Sequence, residues 1–241
     1  MLNTDYKVIW RYVNPDKFLF IEGENIFPRF QQFCIASNSK SEILYLLSIL
    51  NSKIINLLFN KLLKTENEKD VLMGLSVIKE FVRVPKIIED NQFIKDEVIK
   101  MTGEMLKLEE IKLADLVDFK KVLIQKFDGV KVEKNKLILT KGDKEIKLEI
   151  KSDVNLVEKV VNNLVSGDKL KLEKKKISLG ELKELAVIDF ELRNKIKDYI
   201  DNLVFALYFN VNIGKVGLGR AKEIKEKCGG SRFYKIINNK K

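Results

Sequence analysis

The chain has 241 residues, 45% of them hydrophobic, with a net charge of +10 and no histidine. That length suits one large domain or two small ones, and the apolar content suffices for a buried core. No apolar run approaches the ~20 residues that span a bilayer. Without histidine, neither a Ser-His-Asp triad, a Cys-His pair nor a thiolate–imidazole zinc site can be assembled.

Cys34 and Cys228 are isolated and form no CxxC, so no structural disulfide is expected. The N-terminus lacks a basic segment followed by an apolar one, so no signal peptide and a cytoplasmic setting without a membrane are expected. The charge suggests a polyanionic partner, but it is unevenly placed. Residues 1–85 carry 11 basic and 9 acidic side chains, residues 86–210 carry 25 and 24, and residues 211–241 carry 9 and 2. The excess therefore lies in the tail, and any recognition by the N-terminal part depends on local placement.

In chain order, KVIWRYV, KFLFIE and FCIAS within residues 6–38 read as strands, being rich in β-branched and aromatic residues. Asn14-Pro15-Asp16 and Glu22-Gly23-Glu24-Asn25 mark turns between them. From Phe27 to Phe33 aromatics alternate with Arg29, Gln31 and Gln32. Arginine and glutamine have the donor geometry to read guanine and adenine edges in the major groove. Ser41–Lys64 follows as one amphipathic helix, with Ile43, Leu46, Leu47, Leu50, Ile54, Leu57 and Leu58 at helical spacing. Ser39 and Glu42 have capping-box spacing. Asn51 and Ser52 are weak helix formers at its centre. They read as tolerated within a simple core helix, with a second option open, that the Asn51 amide satisfies backbone groups of neighbouring strands. A polar loop over 62–73 and a short element with a strand over 75–84 complete a compact α/β unit.

From Asn91 the period changes. Ile94, Val98, Met101, Met105 and Leu108 step at heptad intervals, as do Leu192, Ile196, Tyr199, Leu203 and Ala206. Between these stripes VKVEK, KLILTK and KEIKLEIK alternate at period 2, Val154–Val165 reads as a helix, and KLKLEKK reads as a further strand. The tail beyond Val211, glycine-containing and basic, reads as flexible or folded only on binding. The expected architecture is α+β. An N-terminal α/β domain (1–87) precedes long paired, coiled-coil-like helices (about 91–126 and 182–210, within 88–213) that flank a small β-rich insert (about 128–176). The basic tail spans 214–241.

Four stretches carry a resemblance. Leu44–Asn56 resembles the "yLLaiLNSkl.n" helix of DNA target-recognition domains, found in the TaqI-like C-terminal specificity region of adenine-N6 methyltransferases, in single-chain restriction–modification enzymes and in type I specificity subunits. Tyr6–Tyr12 resembles the strand that opens that region, and Phe81-Val82-Arg83-Val84-Pro85 resembles its closing "lPiP" element, with one proline where the pattern has two. Separately, Lys197–Tyr208 resembles the "iD.lVy.LY" helix near the C-terminus of the single-chain enzymes.

The resemblance implies a DNA specificity component in which residues 1–85 bind duplex DNA and the heptad helices set spacing and dock a separate adenine-N6 methyltransferase subunit, with a homodimer through the same helices as another mode of association. Candidate DNA contacts, chosen by residue type and position, are Arg11, Lys17, Arg29, Gln31, Gln32, Lys53, Lys61, Lys64 and Arg83. No catalytic residue, metal ligand or cofactor is expected. The (N/D)PP(Y/F) motif and the glycine-rich cofactor loop are missing, and Gly217-Leu218-Gly219 opens no βαβ unit. One catalytic alternative is a Mg²⁺-dependent PD-(D/E)xK-like nuclease, with Glu145-Ile146-Lys147 or Glu149-Ile150-Lys151 and Asp128. Against it, any strand alternating Glu and Lys with Ile and Leu generates ExK by composition. A helical scaffold without nucleic acid is the third reading.

Overall fold

In the computed structural model the residues described are 4–13, 15, 17–24, 28–62, 72–120, 122–166 (164–166 as backbone) and 177–238. They are α+β and fall into two compact units, Met1–Glu104 with Asn194–Lys241, and Met105–Arg193. The expected N-terminal domain lies within the first unit, which also takes in the C-terminal segment.

The first unit opens with an antiparallel sheet in the order β2-β1-β3: β1 (Tyr6–Arg11), β2 (Leu19–Glu22) and β3 (Gln32–Ser37). The central strand β1 buries Lys7, Val8, Ile9 and Trp10 in succession, as a strand covered on both faces does. Lys7 is buried because its Nζ donates to the carbonyl of Gly23 at 2.7 Å and to that of Thr4.

The expected single helix 41–64 is two helices, α1 (Lys40–Leu50) and α2 (Lys53–Leu62), bent by 54° at Asn51-Ser52. Ser39 caps α1 as expected, accepting from the Glu42 N–H. Glu42 itself turns to the Ser37 hydroxyl at 2.7 Å, so the reciprocal half of the box is not made. Polar groups from elsewhere in the fold, at Phe18 and Asp201, hold the bend. No single helix among the described residues is long and apolar enough to cross a membrane.

Most of the expected polar loop lies outside the described residues. Chain order then gives α3 (Leu75–Phe81) and, after an irregular stretch through Pro85, α4 (Glu89–Glu110). The short element expected over 75–84 is α3, and the strand expected after it is irregular backbone through Pro85. The helix expected over 91–126 stops at Glu110.

The second unit holds α5 (Leu113–Leu116), β4 (Lys126–Phe127), β5 (Gly129–Glu133), β6 (Lys136–Lys141), β7 (Lys144–Glu149), α6 (Val154–Ser166), β8 (Ile177–Ser178) and α7 (Leu179–Lys183). The three alternating runs form the antiparallel sheet β5-β6-β7, with Leu137, Leu139 and Leu148 turned inward against Val157 and Val161 of α6. The small β-rich insert is thus present, while the expected KLKLEKK strand lies outside the described residues. After Glu110 the chain is claimed by this core: Leu113 N–H donates to the Leu185 carbonyl and Val187 N–H to the Ile111 carbonyl, both β-type links that a continued helix would forbid.

The chain continues as α8 (Phe190–Phe209), started by the Asp189 carboxylate, which accepts from Leu192 N–H at 3.0 Å. Every residue from Tyr199 to Leu207 is buried, including Asp201 and Asn202. A coiled-coil strand buries one stripe; this segment is enclosed on all sides and is a core helix of the first unit. The tail, expected to be flexible or folded only on binding, is folded. A 3₁₀ turn (Leu218–Arg220) leads into α9 (Ala221–Gly229) and α10 (Arg232–Asn238). Ile224 and Cys228, one turn apart, are completely buried, Phe233 stacks on Phe209 at 5.1 Å, and Tyr234 meets Phe205 edge-on at 5.1 Å.

Candidate nucleic-acid interface

The pairing of β1 with β3 sets Arg11 opposite Gln32 at one end of the sheet. Beyond that pair the chain makes a tight turn. Gln32 N–H donates to the Arg29 carbonyl at 3.0 Å, Arg29 N–H donates to Gln32 Oε1 at 2.9 Å, and Tyr12 N–H donates to the Gln31 carbonyl at 2.8 Å. Met73 N–H closes on the Tyr12 carbonyl at 2.7 Å, and Trp10 Nε1–H donates to the Met73 carbonyl at 2.8 Å. Four of the candidate residues are therefore gathered at this end of the sheet, Arg11 at the end of β1 and Arg29, Gln31 and Gln32 on the hydrogen-bonded turn that enters β3.

Two locally unfavourable choices meet there. Gln31 has a left-handed backbone with φ 64°, which costs a residue with a Cβ roughly 1–2 kcal/mol. Phe30 is 93% exposed, forgoing about 1.5–3 kcal/mol of burial. Arg11, Arg29 and Gln31 are exposed around it, while Gln32 is half-buried and committed to the turn. Arginine forks and glutamine amides held at a rigid strand end can read base edges.

Beneath the turn lies an aromatic cluster. Trp10 packs on Phe18 at 5.4 Å and on Phe33 at 6.0 Å, and Phe33 meets Tyr12 at 5.5 Å. Asn51 locks this layer from α1: Phe18 N–H donates to Asn51 Oδ1 at 3.0 Å, and Asn51 Nδ2 donates to the Phe18 carbonyl at 2.9 Å. The open option for Asn51 is the one realised. Its amide satisfies backbone groups of the segment entering β2 and thereby fixes the backbone next to the exposed Lys17.

Lys53 is not at the sheet end. Its Nζ pairs with Asp198 at 2.7 Å, and its N–H donates to Asp201 Oδ1 at 3.0 Å. Asp201 also accepts from Lys197 Nζ at 3.2 Å, and Asp198 from Lys225 Nζ at 2.8 Å. Burial pushes the Asp201 carboxyl up, outweighing Lys197 and Lys53. Burial pushes Asp198 up as well, but hydrogen bonds from Lys225 and Lys53 outweigh it and hold that carboxyl below the usual range. Lys53 is thus engaged within the fold and leaves the candidate set for that reason.

Lys61 and Arg83 come together elsewhere, on an apolar groove of about 390 Å³ lined by Ile54, Leu58, Tyr208 and Ile236 among others. Lys64 lies outside the described residues.

For the nuclease alternative, Asp128 accepts from Gly142 N–H at 2.7 Å, and Glu145 pairs with Lys131 at 3.3 Å and Lys147 at 3.7 Å. Glu145, Lys147 and Glu149 are exposed, while Leu148 is buried, the pattern of a sheet with one solvated face. Among the described residues, no three acidic or cysteine side chains converge as metal ligands would.

Sequence reasoning singled out Arg29, Gln31 and Gln32 but missed Phe30, whose exposure no alternation rule separates from that of Phe33. It also missed Asp198 and Asp201; the available signal was two carboxylates on a helix whose neighbours are apolar. No protein-family model, curated protein or solved structure matches this chain.

Proposed function

We propose that the chain is a DNA sequence-specificity component of a restriction–modification system. On this reading it binds duplex DNA through the β1–β3 sheet end and serves a separate adenine-N6 methyltransferase subunit, with no catalytic group of its own. The observation that carries the reading is the gathering of Arg11, Arg29 and Gln31 at one braced sheet end. The resemblance of Leu44–Asn56 to target-recognition sequences, and of Lys197–Tyr208 to a helix near the C-terminus of single-chain restriction–modification enzymes, supports it independently. Asp128 and Glu145 have partners within their own sheet, so no observation favours the nuclease.

The methyltransferase subunit is assigned the apolar groove with Lys61 and Arg83 on its lining, which suits an amphipathic helix with an acidic edge. Charge reversal at both positions lowers copurification with that subunit and leaves DNA affinity unchanged. Equal copurification removes the groove from the reading.

The experiment for the main proposal is selection from a random duplex pool by the full chain, followed by anisotropy titrations over a salt series. A recovered consensus is expected, with Arg11→Ala, Arg29→Ala and Gln31→Ala each relaxing one position of it at about 1–3 kcal/mol per lost bidentate contact. Failure to enrich any sequence, or affinity indifferent to all three substitutions, overturns it.

A further inference from the structure

We infer that Phe30 is an apolar wedge that inserts between neighbouring base pairs, so that the chain selects its target partly by how readily one step unstacks. This rests on the DNA-binding reading and goes beyond it. That reading gives base edges to arginine and glutamine; this one gives the π-face of a base step to the residue between them.

Three observations support the assignment. Phe30 is almost fully exposed, at 93%, although its neighbour Phe33 is packed between Trp10 and Tyr12. Its exposure is not that of a slack loop: the two Arg29–Gln32 hydrogen bonds, one backbone to backbone and one to the Gln32 side chain, and the Tyr12–Gln31 hydrogen bond hold the apex in place. A wedge needs such a rigid base, since a mobile ring would fold back onto the protein instead of prising stacked bases from one another. The flanking chemistry is also suitable, because Arg29 and Gln31, exposed on either side of Phe30 in the chain, can hold base edges next to the opened step.

Apolar side chains inserted in this way unstack a step and kink the duplex. Pyrimidine–purine steps deform most easily, so the recovered consensus should place a TA or CA/TG step at the position Phe30 meets. That preference would occur without any hydrogen bond from the protein to those bases.

The test uses the full chain and the duplex recovered by selection, with 2-aminopurine substituted at successive positions. Wild type should raise its fluorescence at one step. Phe30→Ala should abolish that rise and weaken binding about tenfold, with an unchanged slope of log K against log salt, because no phosphate contact is lost. Phe30→Trp should keep both. Leu123→Ala, which removes a 90%-exposed apolar side chain from the other unit, should change neither. Phe30 makes so little contact with the fold that the variants are expected to melt as wild type does. Tight binding with no fluorescence rise, or equal affinity for Phe30→Ala, overturns the wedge and leaves the DNA reading standing. A chain that enriches no duplex at all overturns both.

Discussion

The backbone N–H of Lys53 donates to Oδ1 of Asp201 at 3.0 Å, across 148 residues of chain. Lys53 is the first residue of α2, where N–H groups lack partners within the helix. Ser52 Oγ satisfies the Ile55 N–H at 3.3 Å, and Asp201 satisfies Lys53 from α8. The carboxylate also lies at the positive end of the α2 dipole. Asp201→Leu would leave the Lys53 N–H without its acceptor and is expected to cost up to about 3 kcal/mol. Asp201→Asn keeps an acceptor and is expected to cost about 1 kcal/mol. Urea unfolding of the two variants measures the gap, and equal losses would show that the acceptor, Oδ1, is not what matters.

The same residue gives a pH dependence with a definite sign. Burial raises the Asp201 carboxyl pKa in the folded state. The folded protein therefore binds that proton more tightly than the unfolded chain, and the stability this contributes is lost as pH rises above the ordinary carboxylate value. Asp198, held low by Lys225 and Lys53 against its burial, acts oppositely: its contribution is lost as pH falls. Asp201→Asn removes only the first effect. The melting temperature of the variant minus that of wild type should therefore become more favourable from about pH 4 to about pH 7. A difference that becomes less favourable over that range would mean that the ionised carboxylate is a net stabiliser.

How much of this was legible in the sequence depends on where each residue's partners lie. The strands β1 to β3 were visible because β-branched and aromatic residues mark them locally, and β5 to β7 because their period-2 pattern is local. The apolar stripe of residues 41–64 was visible too, but it continues through Asn51-Ser52, so the break was hidden. What makes the break are polar groups far along the chain, Phe18 on one side and Asp201 on the other. Lys53 looked like a free cation because its partners are 145 and 148 residues away. The heptad reading of α8 saw one stripe and could not see that Asp201 and Asn202, on its other faces, are satisfied by Lys53 and Tyr234. At the sheet end, residue type marked Arg29 and Gln31, but only the turn geometry shows that Phe30 points away from the aromatic layer.

The folded tail makes its own prediction. Cys228 is buried with its thiol beside the Asn202 carbonyl, and burial pushes its pKa up to about 11. Cys34 is only half-buried; burial raises its pKa and Lys7 opposes the shift. In the native chain at about pH 8 a thiol reagent should modify Cys34 first, and Cys228 only at the rate of local opening of α9. Rapid modification of both would show that α9 is not docked. Truncation after Arg220 removes Ile224, Cys228 and the Phe233–Phe209 stack and should lower the melting temperature, not merely the salt dependence of DNA binding.

Asn51→Ala tests the break itself. Taken as a helix position, 51 would gain up to about half a kcal/mol of propensity from alanine. The structure opposes this, because Asn51 is the C-cap of α1 and its amide both donates to and accepts from the backbone of Phe18. Alanine leaves that N–H and that carbonyl without their partner beside a buried ring, at a cost of ~1–3 kcal/mol. The net expectation is destabilisation, reversing the tolerance expected of a simple core helix. Asn51→Asp separates the two bonds: it keeps an acceptor for the Phe18 N–H, loses the donor to the Phe18 carbonyl and sets a carboxylate against that oxygen. It should therefore be no better than alanine if the donated bond dominates. Because Phe18 packs on Trp10, which stacks on Phe33 below the turn, both variants should also loosen the sheet end. Hydrogen exchange at the Tyr12 N–H, bonded to the Gln31 carbonyl at 2.8 Å, reports that directly. Faster exchange there together with a lowered melt is the expected result. An Asn51→Ala variant that melts at or above wild type would show that water replaces the amide at no cost, and that the bend at 51–52 is held by Ser52 and Asp201 alone.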